Sequence, residues 1–423
     1  MTARNHAGAL IIEGGRRLQG AITVTGSKNA TMGAMAAALL VAGETRLENV
    51  PHIEDVEHMA EVLRSLGAEV RWEGEHRLCI DASSIVNWSA PSDLVGNLRG
   101  SFLVMGALLG RLGRAACSPP GGDVIGQRPI DVHLSGFAAL GAHVAREGDQ
   151  FVAEGERMTG ALIFCDYPSV LGTQNLMLAA VLARGKTTIV NAAAEPEVQG
   201  LAAMLAQMGA TIHGAGTHTV EVEGGAELQP TTYRIIPDRL EAGTYAIAAA
   251  ITRGHIEVRG VNLEHLTSLI VKLREVGVEI ETEKDRMCVR GVEEMRATTI
   301  QALPYPGLAT DLQAPMAVLL TQARGVSYVH ERVFDNRLLY VGELRKMGAE
   351  VVTTGTTTAI ISGPTPLMGA RVRALDVRAG AALVLAGLAA RGRTEITDIY
   401  HVDRGYERID ERLRSLGACV ERL

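Results

Sequence analysis

Leu273-Arg274-Glu275-Val276-Gly277-Val278-Glu279-Ile280 reads as the end of one element and the start of the next. Leu273 and Val276 are apolar at helical spacing, and Gly277 stands where a helix commonly stops in a left-handed cap. Val278 and Ile280 then alternate with Glu279, as in a strand with one buried face. The same pattern recurs at Leu63-Arg64-Ser65-Leu66-Gly67-Ala68-Glu69-Val70, Phe137 to Val144, Leu205 to Ile212, Leu344 to Val351 and Leu413 to Val420. The central glycines are Gly67, Gly141, Gly209, Gly277, Gly348 and Gly417, about 70 residues apart. So steady a period implies one structural unit used six times.

Each unit has a second recurring half. An Ala/Leu-rich helix is followed by a glycine turn and a β-branched strand, as in Gly185-Lys186-Thr187-Thr188-Ile189-Val190 and Gly392-Arg393-Thr394-Glu395-Ile396-Thr397. The segments Ala242 to Ile251 and Gly380 to Ala390 have no polar face. A helix that is apolar all round belongs in an interior. The fold class expected is therefore α/β, with helices inside and sheets outside, rather than an ordinary doubly wound sheet.

The chain has 423 residues, of which 47% are hydrophobic and 4% aromatic. One core seldom serves more than about 300 residues, so two domains of three repeats each are expected. We place them at 21-236, with the loop around Asp123, and at 1-20 plus 237-423. The net charge of -7 argues against a general nucleic-acid or membrane-surface partner. No apolar run reaches the roughly 20 residues of a membrane span, and Met1 to His6 leads toward a strand rather than a signal core. The five cysteines are scattered, without metal or redox spacing, which suits a reduced cytoplasm and small buried hydrophobes. No cofactor or metal is expected.

Several segments place charge where the repeats are otherwise apolar. Gly26-Ser27-Lys28-Asn29-Ala30 reads as a strand-to-helix turn, whose free N–H groups and lysine suit an anion. Pro119 to Asp131 is a Gly/Pro loop, longer than a hairpin needs, that carries Asp123 and Arg128; such loops often close over ligands. Thr310-Asp311, Asn336-Arg337, Val377-Arg378 and Asp403-Arg404 add further charge. Taken singly, each cation would be an ordinary surface group. Lys28, Arg128, Arg337, Arg378 and Arg404 recur at corresponding places in different repeats, however, and together they would bind a small, highly charged anion.

These motifs, with Gly126-Gln127-Arg128-Pro129-Ile130-Asp131, Pro237-Asp238-Arg239 and Asp403-Arg404-Gly405-Tyr406-Glu407-Arg408, resemble those of the enolpyruvyl transferases of peptidoglycan synthesis. The resemblance runs from Leu10 to Leu423. It implies two inside-out α/β barrels and transfer of the enolpyruvyl group of phosphoenolpyruvate to the 3′-hydroxyl of UDP-N-acetylglucosamine, with release of phosphate. By motif, Lys28, Arg128 and Arg404 would hold the phosphate, and Arg337 and Arg378 with Arg404 the carboxylate. Asp311 would take the acceptor proton and Asp123 would deliver one to the methylene carbon. Asn29 and Asp238 would position the sugar, Arg99 would lie by the diphosphate, and Ser169 and Val170 by the nucleotide.

The chain departs from the family pattern in places. Many members carry cysteine where Asp123 stands. A carboxylic acid holds its proton less tightly than a thiol, so loop closure would have to desolvate Asp123. Leu171 replaces a glycine in the nucleotide loop, and Ala194 and Glu54 stand where cations are common. Two alternatives keep the fold: another UDP-linked or nucleoside acceptor, and a non-catalytic nucleotide-sugar sensor. Shikimate-3-phosphate as acceptor is disfavoured, because Asn29 follows Lys28 and Gly121-Gly122-Asp123 occupies the second motif.

Overall fold

The computed structural model describes residues 8–123 and 125–423. The opening stretch Met1 to His6 and Val124 lie outside the described residues. The chain forms two compact units. One comprises Gly26–Gly122 and Pro129–Ile236; the other comprises the chain up to Thr25, the loop segment Asp123–Arg128, and Pro237–Leu423.

In the first unit three helices are almost wholly buried: Lys28–Ala37, Val104–Leu112 and Val170–Ala180. Three sheets accompany them. The strand order of one is Thr232–Arg234, Glu44–Glu48, Arg77–Asp81, Glu69–Trp72. Another is Thr211–His213, Thr219–Glu223, Lys186–Val190, Leu162–Phe164, and the third is Arg114–Cys117, Gln150–Glu154, His143–Glu147. Thr232–Arg234 pairs in parallel with Glu44–Glu48, so the end of the unit closes on its beginning.

The second unit repeats the plan with the buried helices Arg239–Ile251, Gln313–Leu320 and Val377–Ala389. Its sheets are built on His255–Arg259, Ala323–Glu331 and Arg393–Thr397. In both units the strand after each buried helix pairs with an antiparallel hairpin on one side and a parallel strand on the other. In the three-stranded sheet the parallel neighbour shrinks to a single bridge, Ser89 to Ala116.

The sequence pattern accounts for this order. Lys186–Val190 and His255–Arg259 alternate exposed and buried residues, so each sheet turns one apolar face to its helices. The six signature glycines all have positive φ, from 90° at Gly348 to 116° at Gly209. A side chain would be strained there, which is why glycine marks every one of these turns.

Two expected boundaries differ from those observed. Gln19–Thr23 is one strand, paired in parallel with His255–Arg259, so a cut at residue 20 would split it. The loop segment Asp123–Arg128 groups with the second unit rather than with 21-236. A backbone tie helps to hold it: Gln127 N–H donates to Asp335 Oδ1 at 3.1 Å, and a Cβ at Gly126 (φ 115°) would lie 1.8 Å from that oxygen. Cys79, Cys117 and Cys165 are buried as expected, whereas Cys288 and Cys419 are partly exposed. Among the described residues no helix is long and apolar enough to cross a membrane.

Candidate active site

The sequence candidates divide between the two units. Lys28, Asn29, Arg99, Ser169 and Val170 belong to the first, and Asp123, Arg128, Asp238, Asp311, Arg337, Arg378 and Arg404 to the second.

In the first unit Ser27 caps the Lys28–Ala37 helix, its hydroxyl accepting from Ala30 N–H at 3.3 Å. The turn is tight: a Cβ at Gly26 would lie 1.8 Å from the Asn49 carbonyl oxygen. Lys28 therefore opens the helix at a fixed point, and its Nζ lies 2.6 Å from Oδ2 of Asp55, which is fully buried. Sequence reasoning did not identify Asp55, which is one acid among several in Glu54-Asp55-Val56-Glu57. Arg99 opens a short 3₁₀ helix and donates to the Pro129 carbonyl at 3.2 Å. Ser169 caps the Val170–Ala180 helix through Gly172 N–H. Leu171 sits in the first turn of that helix, partly buried against the apolar core.

The second unit gathers four arginines and two aspartates. Asp311 lies in the 3₁₀ turn Thr310–Leu312, before the buried Gln313–Leu320 helix. Its Oδ1 accepts from Arg337 Nη2 and its Oδ2 from Arg378 Nε, each at 2.8 Å. Arg378 is the second residue of the Val377–Ala389 helix, whose cap Asp376 accepts from the backbone of Arg378 and Ala379. It is 3% exposed, far from the surface ion pair that such an arginine usually makes. Its guanidinium lies 5.2 Å from the ring centre of Tyr406. Its Nη1 is buried and, among the described residues, has no hydrogen-bond partner. An orphaned cationic donor is costly unless something else fills the site.

Arg404 pairs with the Asp123 carboxylate, and Arg128 Nη2 donates to the Asp123 carbonyl at 2.8 Å. Burial pushes the Arg128 guanidinium below its usual range, and the charges of Arg337 and Arg404 act in the same direction, while Asp123 and Asp311 oppose them. Burial likewise lowers His401, opposed by Asp123. Asp238 caps the Arg239–Ile251 helix, accepting from Leu240 N–H at 2.7 Å and Glu241 N–H at 3.0 Å. A cluster of mutually repelling guanidinium groups around two carboxylates is suited to an anion with two charged ends.

The sequence profile of the EPSP synthase (3-phosphoshikimate 1-carboxyvinyltransferase) family matches residues 12–413. The chain belongs to this family of enolpyruvyl transferases. Among curated relatives, UDP-N-acetylglucosamine 1-carboxyvinyltransferase 1 of Caldanaerobacter subterraneus subsp. tengcongensis is 47% identical, covering 97% of this chain and 99% of its own length. UDP-N-acetylglucosamine 1-carboxyvinyltransferase 2 of Carboxydothermus hydrogenoformans is 48% identical over 98% of this chain and 99% of its own. Among solved structures, the enolpyruvyl transferase NikO from Streptomyces tendae superposes with a TM-score of 0.89 at 27% identity, covering 98% of this chain and 99% of that one. EPSP synthase from Acinetobacter baumannii gives a TM-score of 0.74 at 18% identity over 99% of this chain and 100% of that one, which bears on the fold alone. The fold is that of the enolpyruvyl transferases, with helix-cored repeats in each of two units.

Proposed function

We propose that this enolpyruvyl transferase moves the enolpyruvyl group of phosphoenolpyruvate to the 3′-hydroxyl of UDP-N-acetylglucosamine and releases phosphate. The reaction opens peptidoglycan synthesis, and its place is the cytoplasm. The substrate assignment follows the names of relatives that match nearly the whole chain at almost half identity. The observation that carries the chemistry is the second unit's cluster, in which Asp311 is held by Arg337 and Arg378 and the buried Nη1 of Arg378 has no hydrogen-bond partner among the described residues.

Arg378 and Arg337, with Arg404, would take the carboxylate of phosphoenolpyruvate, and Arg404, Arg128 and Lys28 its phosphate. The acceptor oxygen adds to C2 as its proton passes to Asp311, and C3 takes a proton from Asp123. Elimination then removes a proton from C3 and breaks the bond from C2 to the phosphate oxygen. Asp311 is ion-paired with Arg337 and Arg378 and Asp123 with Arg404, so on binding these arginines turn to the substrate anion. Asp311 is then freed to take the acceptor proton, and Asp123 takes up from solvent the proton that it gives to C3 and takes back on elimination. Asp238 and Asn29 position the sugar. Arg99, Ser169 and Val170 would serve the nucleotide diphosphate, and Leu171 is the position at which acceptor preference is most open to change.

The deciding assay is phosphate release from phosphoenolpyruvate with a panel of acceptors. We expect release with UDP-N-acetylglucosamine and none with shikimate-3-phosphate. Release with shikimate-3-phosphate alone would overturn the assignment.

A further inference from the structure

The Thr310 hydroxyl has one proton to donate, and its geometry commits it. Thr310 Oγ1 lies 2.7 Å from Glu331 Oε2, an acceptor when the carboxyl is ionised. The same oxygen accepts from Arg337 Nη1 at 3.0 Å. Arg337 Nη2 bonds to Asp311 Oδ1, so both acceptors come from adjacent residues of one 3₁₀ turn. Glu331 is 1% exposed, and its other oxygen accepts from Val333 N–H at 2.8 Å and Phe334 N–H at 3.2 Å. Those amides begin the turn that leads to Arg337, whose guanidinium lies 5.3 Å from the Phe334 ring centre.

We infer that Glu331 is a positioning residue that acts through the Thr310 hydroxyl, ordering Arg337 for the substrate carboxylate. An acceptor-only carboxylate beside the hydroxyl turns its O–H toward Glu331 and a lone pair toward Arg337. Remove the carboxylate charge and the hydroxyl can turn its proton toward the guanidinium instead. Glu331 itself does not touch substrate, because both its oxygens are engaged and it is buried. The inference rests on the role proposed above for Arg337.

The experiment compares Thr310→Val, Thr310→Ser, Glu331→Gln and the double variant Thr310→Val/Glu331→Gln by steady-state kinetics and thermal melting. Losing a buried hydrogen bond to a charged group is worth about tenfold or more in affinity. Thr310→Val and Glu331→Gln are each expected to raise KM for phosphoenolpyruvate by about that factor, with KM for the acceptor within about twofold. Thr310→Ser, which keeps the hydroxyl, recovers most of that loss. The double variant is no worse than Thr310→Val alone, since the two residues act in series.

Unchanged KM for phosphoenolpyruvate in a folded Glu331→Gln, or losses that multiply in the double variant, overturns the inference. If Glu331→Gln does not fold, the Thr310→Val and Thr310→Ser pair decides it: equal KM in the two removes the relay. A wild-type protein that releases no phosphate with any acceptor defeats the proposed function rather than the relay. Calorimetric titration with phosphoenolpyruvate then decides the relay by the same comparison, and absence of binding to the wild-type protein overturns both.

Discussion

Asp311 and Asp123 share one device at the residue scale: the first carboxylate is held by Arg337 and Arg378 and the second by Arg404, arginines that the proposed reaction needs for substrate. Their replacement should separate binding from chemistry. Asp311→Asn is expected to bind both substrates and to lose roughly 10²–10⁴ in turnover, the usual worth of a general base. Single-turnover rates check this, and normal turnover would remove Asp311 from the mechanism. Asp123 is expected to set the response to electrophiles. A thiolate is the stronger nucleophile toward an epoxide, so the native protein should resist fosfomycin while Asp123→Cys stays active and becomes sensitive. Time-dependent inactivation of the two proteins side by side is the measurement. Equal rates would show that the inhibitor does not report on this position.

Elements are set by their ends. The Thr267–Val276 helix stops at Gly277, with φ 106°, and no atom lies closer than 3.8 Å to a Cβ built there. A side chain at this site meets conformational strain rather than a clash. Gly277→Ala is therefore expected to cost about 1–2 kcal/mol, the penalty of the left-handed region for an L-residue. Activity at 25 °C should be retained. Urea unfolding of the two proteins measures the difference, and a variant as stable as wild type would show that the cap relaxes. The opposite ends hold three of the candidate residues: Lys28 and Arg378 lie in the first turns of their helices, and Asp238 caps a third.

For the whole molecule, stability against acid depends on groups buried neutral. His133 packs edge-on against Phe102 and hydrogen-bonds Asn175 at 2.9 Å. Burial, aided by the charge of Arg99, pushes its imidazole down to about 3. Its folded pKa lies below the unfolded value, so between about pH 3 and 6.5 the unfolded chain binds the extra proton and stability falls as the pH falls. The slope from one such group is about 1.4 kcal/mol per pH unit. His133→Gln should flatten the loss of melting temperature between pH 7 and pH 5, and parallel pH profiles would refute this. The fold behind these effects was largely legible in the chain. Six glycine-marked repeats announced the helix–strand unit, because a left-handed cap and an alternating strand are local requirements that leave local signals. The candidate residues were legible too, since charge inside an apolar repeat is conspicuous. Other features depended on distant segments meeting. Asp55 beneath Lys28, Glu331 behind Thr310, the unpartnered Nη1 of Arg378 and the grouping of Asp123–Arg128 with the second unit leave no mark in sequence. The chain by itself determined its repeat, its family resemblance and its charged positions, because backbone conformation and burial pattern are encoded over a few residues. Only the tertiary structure decided which charges meet, because an ion pair depends on distances between residues far apart in the chain.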